Sequence, residues 1–258
     1  MGQGPKGNHR VGKSFMALLD IQSVTKRFGG LVAIHNVSLQ IHEGEIMGLI
    51  GPNGAGKTTL FNLISGFYTA DKGAIIFQNE DITHLPPHEC CRRGIGRTFQ
   101  IVKTFPNHDV LYNVTVAALP RLKKVKAAKE AALEILGFVG LKEKKEQMGH
   151  SLTLAERKRL EIAKALATKP KLLLLDEVMA GLNPAELEEA LSLIRKIREG
   201  GITIFLIEHV MQAIMNLSDR IAIIHYGEKI AEGRPQEVAK DRRVIEAYLG
   251  KEYVFQES

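Results

Sequence analysis

The chain is poor in cysteine and contains no tryptophan. Its two cysteines, Cys90 and Cys91, are adjacent and have no partner at the spacing of a metal site. Because disulfides are rare in the cytosol, we interpret both as unremarkable thiols on a short helix in a reducing compartment. With 9 prolines among 258 residues, 45% hydrophobic and 25% charged residues, the composition excludes a disordered, collagen-like or coiled-coil chain.

Long apolar runs are also missing. Charge-free stretches such as residues 46–56 and 110–120 are well short of the ~20 apolar residues that a membrane-spanning helix needs. Residues 1–15 are rich in glycine and basic side chains and lack the apolar region of a secretory signal. We therefore expect a flexible extension over residues 1–15, no spanning segment and a cytoplasmic location.

The charge is only modestly one-sided. Lys and Arg number 35 and Asp and Glu number 29, which gives a formal net charge of +6. This excess allows a polyanionic partner, whether a nucleic acid, a nucleotide or an anionic membrane face, without requiring one. The lysine-rich piece at residues 123–129 is interpreted as a solvated helix face.

Short apolar runs alternate with stretches of helical period. The alternation is typical of an α/β fold with a mainly parallel sheet covered on both faces. The clearest helix has Asn183 as its predicted N-cap. Pro184 follows at the first helical position, where its ring fixes φ, and Glu186 places an acid in the first turn. Residues 106–168 show only helical pattern, which predicts an all-helical subdomain inserted into the α/β core. The runs that predict strands are residues 18–24, 37–41, 46–50, 74–77, 172–175, 202–207 and 221–224.

A glycine-rich segment follows the apolar run 46–50 and precedes helical pattern. This order is the context of a phosphate-binding loop, in which backbone N–H groups and a helix N-terminus surround phosphate oxygens. Lys57 would contact the β- and γ-phosphates, and the Thr58 hydroxyl would bind Mg²⁺. The predicted nucleotide-binding residues of the loop are Gly51, Pro52, Asn53, Gly54, Ala55, Gly56, Lys57, Thr58 and Thr59.

Two acids follow the apolar run 172–175. Open α/β sheets bind ligands beyond the carboxyl ends of their strands, so Asp176 and Glu177 are expected to act on the same nucleotide as the loop. We expect Asp176 to hold Mg²⁺ through water and Glu177 to serve as general base for the attacking water. Together with Lys57, these acids predict a nucleotide-hydrolysing site.

Further motifs occur in a fixed order around the loop and the acids. They are Arg97-Thr98-Phe99-Gln100 between the two, Gly181-Leu182-Asn183-Pro184 after the acids, and Glu208-His209 closing the run 202–207. In this order and spacing, residues 17–250 resemble the nucleotide-binding subunits of ABC transporters. The resemblance implies a P-loop NTPase core with an antiparallel β edge, an ABC nucleotide-binding domain over residues 16–250 and a C-terminal tail over residues 251–258.

The resemblance also implies roles for three more residues. Gln100 would be the lid glutamine that joins Mg²⁺ and the attacking water to the helical subdomain. His209 would be the switch histidine that contacts the γ-phosphate, and Phe28 would be the ring stacked on adenine. The expected catalytic residues are then Glu177, His209 and Gln100, and the expected metal-binding residues are Thr58, Gln100 and Asp176.

One family motif differs in this chain. The helix before the acid-bearing strand commonly opens with Leu-Ser-Gly-Gly-Gln, which in the family binds the γ-phosphate of the opposite subunit. Here the segment is Leu152-Thr153-Leu154-Ala155-Glu156. Thr153 keeps the hydroxyl, but Thr153 and Glu156 also form a capping-box pattern that would fold Glu156 back on the helix start. We expect Thr153 and the helix N-terminus to keep the contact with the partner's nucleotide.

Other segments narrow the resemblance. Four segments look like those of the ATPase subunits of branched-chain amino acid importers, namely residues 27–33, 66–68, 97–100 and 244–250. Such a subunit uses ATP and Mg²⁺ and lies on the inner face of the cell membrane. The implied partners are a second ABC ATPase subunit, in a homo- or heterodimer, separate transmembrane permease subunits and a periplasmic or surface solute-binding protein.

Three alternatives stay open at the level of sequence. The ATPases of lipopolysaccharide export share the Tyr-Leu-Gly ending but usually lack Arg-Thr-Phe before the lid glutamine. An ABC ATPase linked to nucleic acid would be expected to carry tandem cassettes or a long coiled-coil insertion, and neither occurs here, so we expect no nucleic-acid partner. A non-catalytic regulator would not need Lys57, Asp176, Glu177 and His209 together.

Overall fold

The computed structural model describes residues 17–100 and 104–249. The predicted extension over residues 1–15 and tail over residues 251–258 lie outside them. The strands are β1 (Ala17–Phe28), β2 (Leu31–His42), β3 (Ile46–Ile50), β4 (Lys72–Phe77), β5 (Glu80–Asp81), β6 (Ile95–Arg97), β7 (Leu172–Asp176), β8 (Thr203–Ile207), β9 (Arg220–His225) and β10 (Glu228–Gly233). The helices are α1 (Lys57–Ile64), α2 (Pro87–Arg93), α3 (Val110–Leu122), α4 (Val125–Phe138), α5 (Leu154–Ala167), α6 (Pro184–Glu199), α7 (Met211–Leu217), α8 (Pro235–Val238) and α9 (Arg242–Leu249).

Two sheets organise these elements. One is antiparallel and has the strand order β2-β1-β4-β5. The other has the order β10-β9-β3-β8-β7-β6, and its neighbouring strands are parallel except for the antiparallel pair β10 and β9. The predicted mainly parallel sheet is therefore confirmed, and antiparallel pairing occurs both at its β10 edge and in the separate sheet.

The parallel sheet is buried on both faces, because successive residues of its central strands point to opposite sides. Leu173 of β7 belongs to the hydrophobic cluster that includes residues of helices α3 to α7, whereas Leu174 belongs to the cluster that includes residues of α1 and the antiparallel sheet. On the α1 side, the rings of Phe61 and Phe205 have their centroids 4.9 Å apart. This two-sided packing explains why these strands read as unbroken apolar runs.

All seven predicted strand runs lie in strands, with Ile202 falling one residue before β8. Two strands are much longer than their apolar runs, because β1 continues to Phe28 and β2 begins at Leu31, where the two strands pair as an antiparallel ribbon. Strand β6 is not predicted from the sequence, because it has only three residues, one of them Gly96, and therefore shows no periodicity. Both cysteines lie on the short helix α2, as predicted.

The described residues 106–168 contain helices α3, α4 and α5, two 3₁₀ turns and a single β-bridge between Asp109 and Met148. Helical structure was predicted here, and the subdomain boundary itself stays a prediction. No helix in the described ranges is both long and apolar enough to cross a lipid bilayer.

Helix α6 begins as predicted. The Asn183 side chain accepts a hydrogen bond from the backbone N–H of Glu186, whose carboxylate accepts one from the Asn183 N–H. Pro184 follows at the first helical position, where its missing N–H costs nothing. Leu191, Ile194 and Ile197 of α6 are buried in the same hydrophobic cluster as residues of β7 and β8, so the helix lies against the sheet.

Gly73 lies where two strands of the antiparallel sheet approach each other closely, and Gly201, outside that sheet, serves as a comparison. Gly73 of β4 has a φ of +83°, and a Cβ there would lie 2.4 Å from the Gln22 carbonyl oxygen, whereas Gly201 has a φ of +87° and open space around it. We predict that Gly201→Ala lowers the free energy of unfolding by about 1–2 kcal/mol through its backbone conformation alone. Gly73→Ala should cost about 1–3 kcal/mol more because of the added collision. Chemical denaturation measures both values, and equal losses would contradict the close approach.

Candidate active site

The glycine-rich loop connects β3 to α1, as the sequence predicts. Lys57 is buried at the start of α1, and its ammonium donates to the carbonyl oxygens of Gly51 (2.7 Å) and Pro52 (2.9 Å). Gly56 caps α1 with a φ of +109°, where a Cβ would lie 2.5 Å from the Ala33 carbonyl oxygen. The loop therefore folds back over its own lysine and directs the N-terminus of α1 into the space in front of it.

That space is a pocket of about 470 Å³. It brings together eleven of the predicted site residues, namely Phe28, Asn53, Gly54, Ala55, Gly56, Lys57, Thr58, Thr59, Gln100, Glu177 and His209. Leu31, Val32, Ala33, Tyr226 and Gly227 complete the lining. Burial lowers the pKa of Lys57, while the nearby Glu177 and Asp176 carboxylates act in the opposite direction.

Phe28 is the last residue of β1 and lines the pocket. It is 40% exposed, and its ring meets the edge of Tyr68 with a centroid distance of 5.0 Å. The Lys26 ammonium lies 5.4 Å from the same ring. An exposed aromatic face that neighbouring side chains hold in place can stack on a planar ring such as a nucleobase.

Asp176 ends β7 and is almost fully buried. Its Oδ2 lies 3.3 Å from an Arg97 guanidinium nitrogen, and its backbone N–H donates to the Thr98 hydroxyl. Oδ1 is buried and has no hydrogen-bond partner among the residues that the structure describes. Burial raises the pKa of this carboxyl even though Arg97 opposes the shift. A buried oxygen without a donor leaves a coordination position free for a cation or its water.

Glu177 follows directly and is held at both carboxylate oxygens. Gln100 Nε2 donates to Oε2 over 2.8 Å, and His209 Nε2 lies 2.6 Å from Oε1. The residue has a φ of +51°, which is a costly left-handed conformation for a non-glycine. The three predicted catalytic residues therefore form one hydrogen-bonded group on the pocket wall.

A buried layer lies behind Glu177. The Lys158 ammonium on α5 donates to the Glu177 carbonyl oxygen over 2.8 Å, and Glu208 Oε1 accepts the Met179 N–H over 2.8 Å. Burial lowers the pKa of Lys158, and burial raises the pKa of Glu208 to about 7. Both groups are too enclosed to meet a ligand in the pocket, so they act on the backbone that carries Glu177.

Thr153 lies outside the residues that line this pocket. It is the N-cap of α5, and the expected capping box forms, with the Thr153 hydroxyl accepting the Glu156 N–H and the Glu156 carboxylate accepting the Thr153 N–H. Lys144 pairs with the same carboxylate. Glu156 is thus directed to its own helix, and the exposed N-terminal turn of α5 stays open to another molecule.

The sequence patterns assign no individual role to Arg97, Glu208, Lys158 or Tyr226, all of which belong to the site or to the layer behind it. Lys158 gives no local signal, because an isolated lysine on an amphipathic helix usually faces solvent. Tyr226 could have been found from its position before Gly227 in a tight hairpin turn, where its φ of +45° is unusual for an aromatic residue.

Comparisons with known proteins agree with this geometry. A family profile described as "ABC transporter" matches residues 34–180, and one described as "Branched-chain amino acid ATP-binding cassette transporter" matches residues 228–254. The chain is similar in structure to the ADP conformation of MJ1267, an ATP-binding cassette of an ABC transporter. The TM-score is 0.83 at 32% identity, and the match covers 92% of this chain and 100% of that one.

Two curated relatives span nearly the whole chain. LivG of Salmonella typhimurium, a high-affinity branched-chain amino acid transport ATP-binding protein, is 41% identical over 250 residues, covering 91% of this chain and 98% of LivG. LptB of Acidithiobacillus ferridurans, a lipopolysaccharide export system ATP-binding protein, is 38% identical over 237 residues, covering 92% of this chain and 98% of LptB. Overall identity alone therefore separates the two kinds of relative only slightly.

The buried Glu208 predicts a specific pH dependence of stability. Its pKa is about 7 in the folded chain against 4.5 as the ordinary value, so the folded state holds this proton more tightly. This proton stabilises the folded chain fully below pH 4.5. As the pH rises from 4.5 towards 7, the free energy of unfolding falls by up to about 3 kcal/mol. Glu208→Gln cannot ionise and should lose this part of the pH dependence. Unfolding free energies at pH 5 and pH 8 test the difference, and identical pH slopes for both proteins would contradict it.

Proposed function

The chain belongs to the family of ABC transporter ATP-binding subunits, and from that premise we propose that it powers the uptake of branched-chain or related amino acids. The match of residues 228–254 to the branched-chain profile and the similarity to LivG support this substrate class. Export of lipopolysaccharide is the second candidate, because the similarity to LptB is nearly as high. The observation that carries the ATPase function is the meeting of Lys57, Glu177, Gln100 and His209 in one pocket.

In this proposal the pocket holds ATP. The N-terminus of α1 and the loop amides surround the phosphates, and the Lys57 ammonium exchanges its loop carbonyls for phosphate oxygens. The remaining loop residues, Gly51 to Thr59, shape this cradle. Phe28, which also lines the pocket, stacks on the adenine ring. The pocket volume of about 470 Å³ suits a ligand of nucleotide size.

The residues present also fit Mg²⁺. This ion favours oxygen ligands and is commonly bound by one or two carboxylates together with substrate phosphates. Asp176 offers a buried oxygen without a donor directly beside Glu177, and Thr58, Gln100 and Glu177 line the pocket. In the proposal the side chains of Asp176, Thr58 and Gln100 hold Mg²⁺ directly or through water. When bound, the ion would neutralise charge on the phosphates.

Glu177 is the proposed general base. Its carboxylate accepts a proton from water while the water oxygen forms a bond to the γ-phosphorus and the bond to the β-γ bridging oxygen breaks, leaving ADP and phosphate. Gln100 and His209 fix the two carboxylate oxygens, so the base points in one direction. His209 is also the proposed contact to the γ-phosphate.

The proposed working unit contains two ATPase subunits facing each other. Each ATP would lie between the Lys57 loop of one subunit and the Thr153 end of α5 in the other. The open N-terminal turn of α5 supports this arrangement, since its amides and the Thr153 hydroxyl can receive a phosphate. Closure would move the helices α3 to α5 and, through them, separate transmembrane permease subunits, with this chain lying on the inner face of the membrane. A periplasmic or surface solute-binding protein would deliver the solute to the permeases.

Removing Lys57 should weaken ATP binding. A charged hydrogen bond contributes about 1.5–3 kcal/mol, so Lys57→Ala should lower ATP affinity about 10- to 100-fold. Titration calorimetry with ATP and Mg²⁺ measures this loss in the full-length chain. Lys129→Ala on the exposed face of α4 removes the same charge away from the pocket and should bind ATP as the wild type does. Unchanged affinity in Lys57→Ala would refute the role of the loop.

The substrate class is testable in proteoliposomes that contain the chain with its membrane subunits. If the system imports amino acids, ATP hydrolysis should rise several-fold when a solute-binding protein loaded with leucine, isoleucine or valine is added. The empty binding protein is the control. Stimulation by lipopolysaccharide instead of the loaded binding protein would favour the export alternative and overturn the import proposal.

A further inference from the structure

The backbone around Glu177 is tied down from two sides. The Glu177 N–H donates to the Ile207 carbonyl oxygen at the end of β8 over 3.0 Å, and the Glu177 carbonyl oxygen accepts the Lys158 ammonium over 2.8 Å. Two residues further on, the Met179 N–H donates to Glu208 Oε1 over 2.8 Å. Three successive attachments therefore fix the segment that carries the proposed base.

Lys158 and Glu208 are unusual in being ionisable and enclosed at once. Lys158 is 9% exposed and Glu208 is 2% exposed, and the charges of Glu208 and Glu177 both favour the protonated form of Lys158. Charged side chains are seldom buried without a partner, and both of these residues direct a polar atom to the backbone of residues 177–179. Because both side chains bind the same short segment, we interpret their role as holding its backbone in place.

The segment needs such support. With its φ of +51°, Glu177 occupies a conformation that is sparsely populated for residues with a side chain, and it persists only where neighbouring groups hold it. Both oxygens of its carboxylate are engaged by Gln100 and His209, and these two side chains line the pocket themselves. The groups that hold the backbone, on Ile207, Lys158 and Glu208, belong to residues outside the pocket lining.

We propose that Lys158 and Glu208 are positioning residues, which hold the backbone of residues 177–179 so that the Glu177 carboxylate faces the attacking water. The inference rests on the proposed function of Glu177 as general base. Neither residue touches nucleotide, so their loss affects the rate of hydrolysis and leaves ATP binding intact. Lys158 also makes the position of Glu177 depend on α5, the helix whose N-cap is Thr153.

The first test compares kcat with ATP affinity in the assembled transporter. Lys158→Met removes the donor and keeps much of the side-chain volume, and we expect kcat to fall about 10- to 100-fold, as for small misplacements of a catalytic group. The Kd for ATP should stay within twofold of the wild-type value. Lys158→Arg can still donate and should recover most of kcat, and Lys129→Met controls for the loss of a positive charge.

Glu208 supplies an independent pair of variants. Glu208→Gln keeps an oxygen that can accept the Met179 N–H and should retain kcat within a few-fold. Glu208→Leu has no acceptor and should lower kcat about as much as Lys158→Met does. Should Glu208→Gln and Glu208→Leu be equally active, or should Lys158→Met retain wild-type kcat, the positioning role would be overturned.

A double-mutant comparison separates positioning from a general loss of structure. Single-turnover hydrolysis is measured for Lys158→Met, Glu177→Gln and the double variant. If Lys158 acts through Glu177, replacing it in the Glu177→Gln background should change the remaining rate less than twofold. A further loss equal to that in the wild-type background would show a general structural role and overturn the proposal. Wild-type hydrolysis by Glu177→Gln alone would instead refute Glu177 as the base.

Discussion

The site depends on one constraint, which is that the parallel strands all present their carboxyl ends at the same edge of a fully buried sheet. In the order β9-β3-β8-β7-β6, the residues that follow these strands are Tyr226, the loop at Lys57, His209, Glu177 and Gln100. Because β8 lies between β3 and β7, the end of β8 can contact both the loop side and the acid side of the pocket. Register then sets the detail, since Asp176 pairs with Ile207 and brings Glu177 within 2.6 Å of His209.

At this edge of the sheet, two neighbouring carboxylates lie in different environments. Asp176 still belongs to β7 and is enclosed with Arg97, so it has little access to bulk water and one oxygen without a donor. Glu177 is the first residue beyond the strand and turns into the pocket through its left-handed conformation. Adjacent residues thereby acquire different environments, which suits one to a cation and the other to a water molecule. The backbone hydrogen bonds of Glu177 to β8 and α5 hold the residue in this position.

Much of this arrangement is predictable from the sequence, because it follows from local patterns. The strands β3, β7 and β8 are continuous apolar runs, and the glycine-rich loop lies between a strand and a helix. The residue types from Asn183 to Glu186 predict the N-cap of α6. The part that could not be predicted arises from tertiary contacts. Nothing near Lys158 in the sequence indicates that its ammonium reaches Glu177 from a different helix, and the three residues of β6 gain strand structure only from pairing with β7. Arg97 likewise receives its importance from Asp176, which is 79 residues away.

The central claim is that Glu177, held at the carboxyl edge of the sheet, is the general base of ATP hydrolysis. The most direct measurement is the single-turnover rate of ATP hydrolysis by Glu177→Gln in the assembled transporter, together with its affinity for ATP. The account predicts a rate about 10²- to 10⁴-fold below that of the wild type, with ATP still bound and the two subunits held in a closed dimer. Hydrolysis at the wild-type rate, or a loss of rate that is fully explained by lost ATP binding, would contradict it.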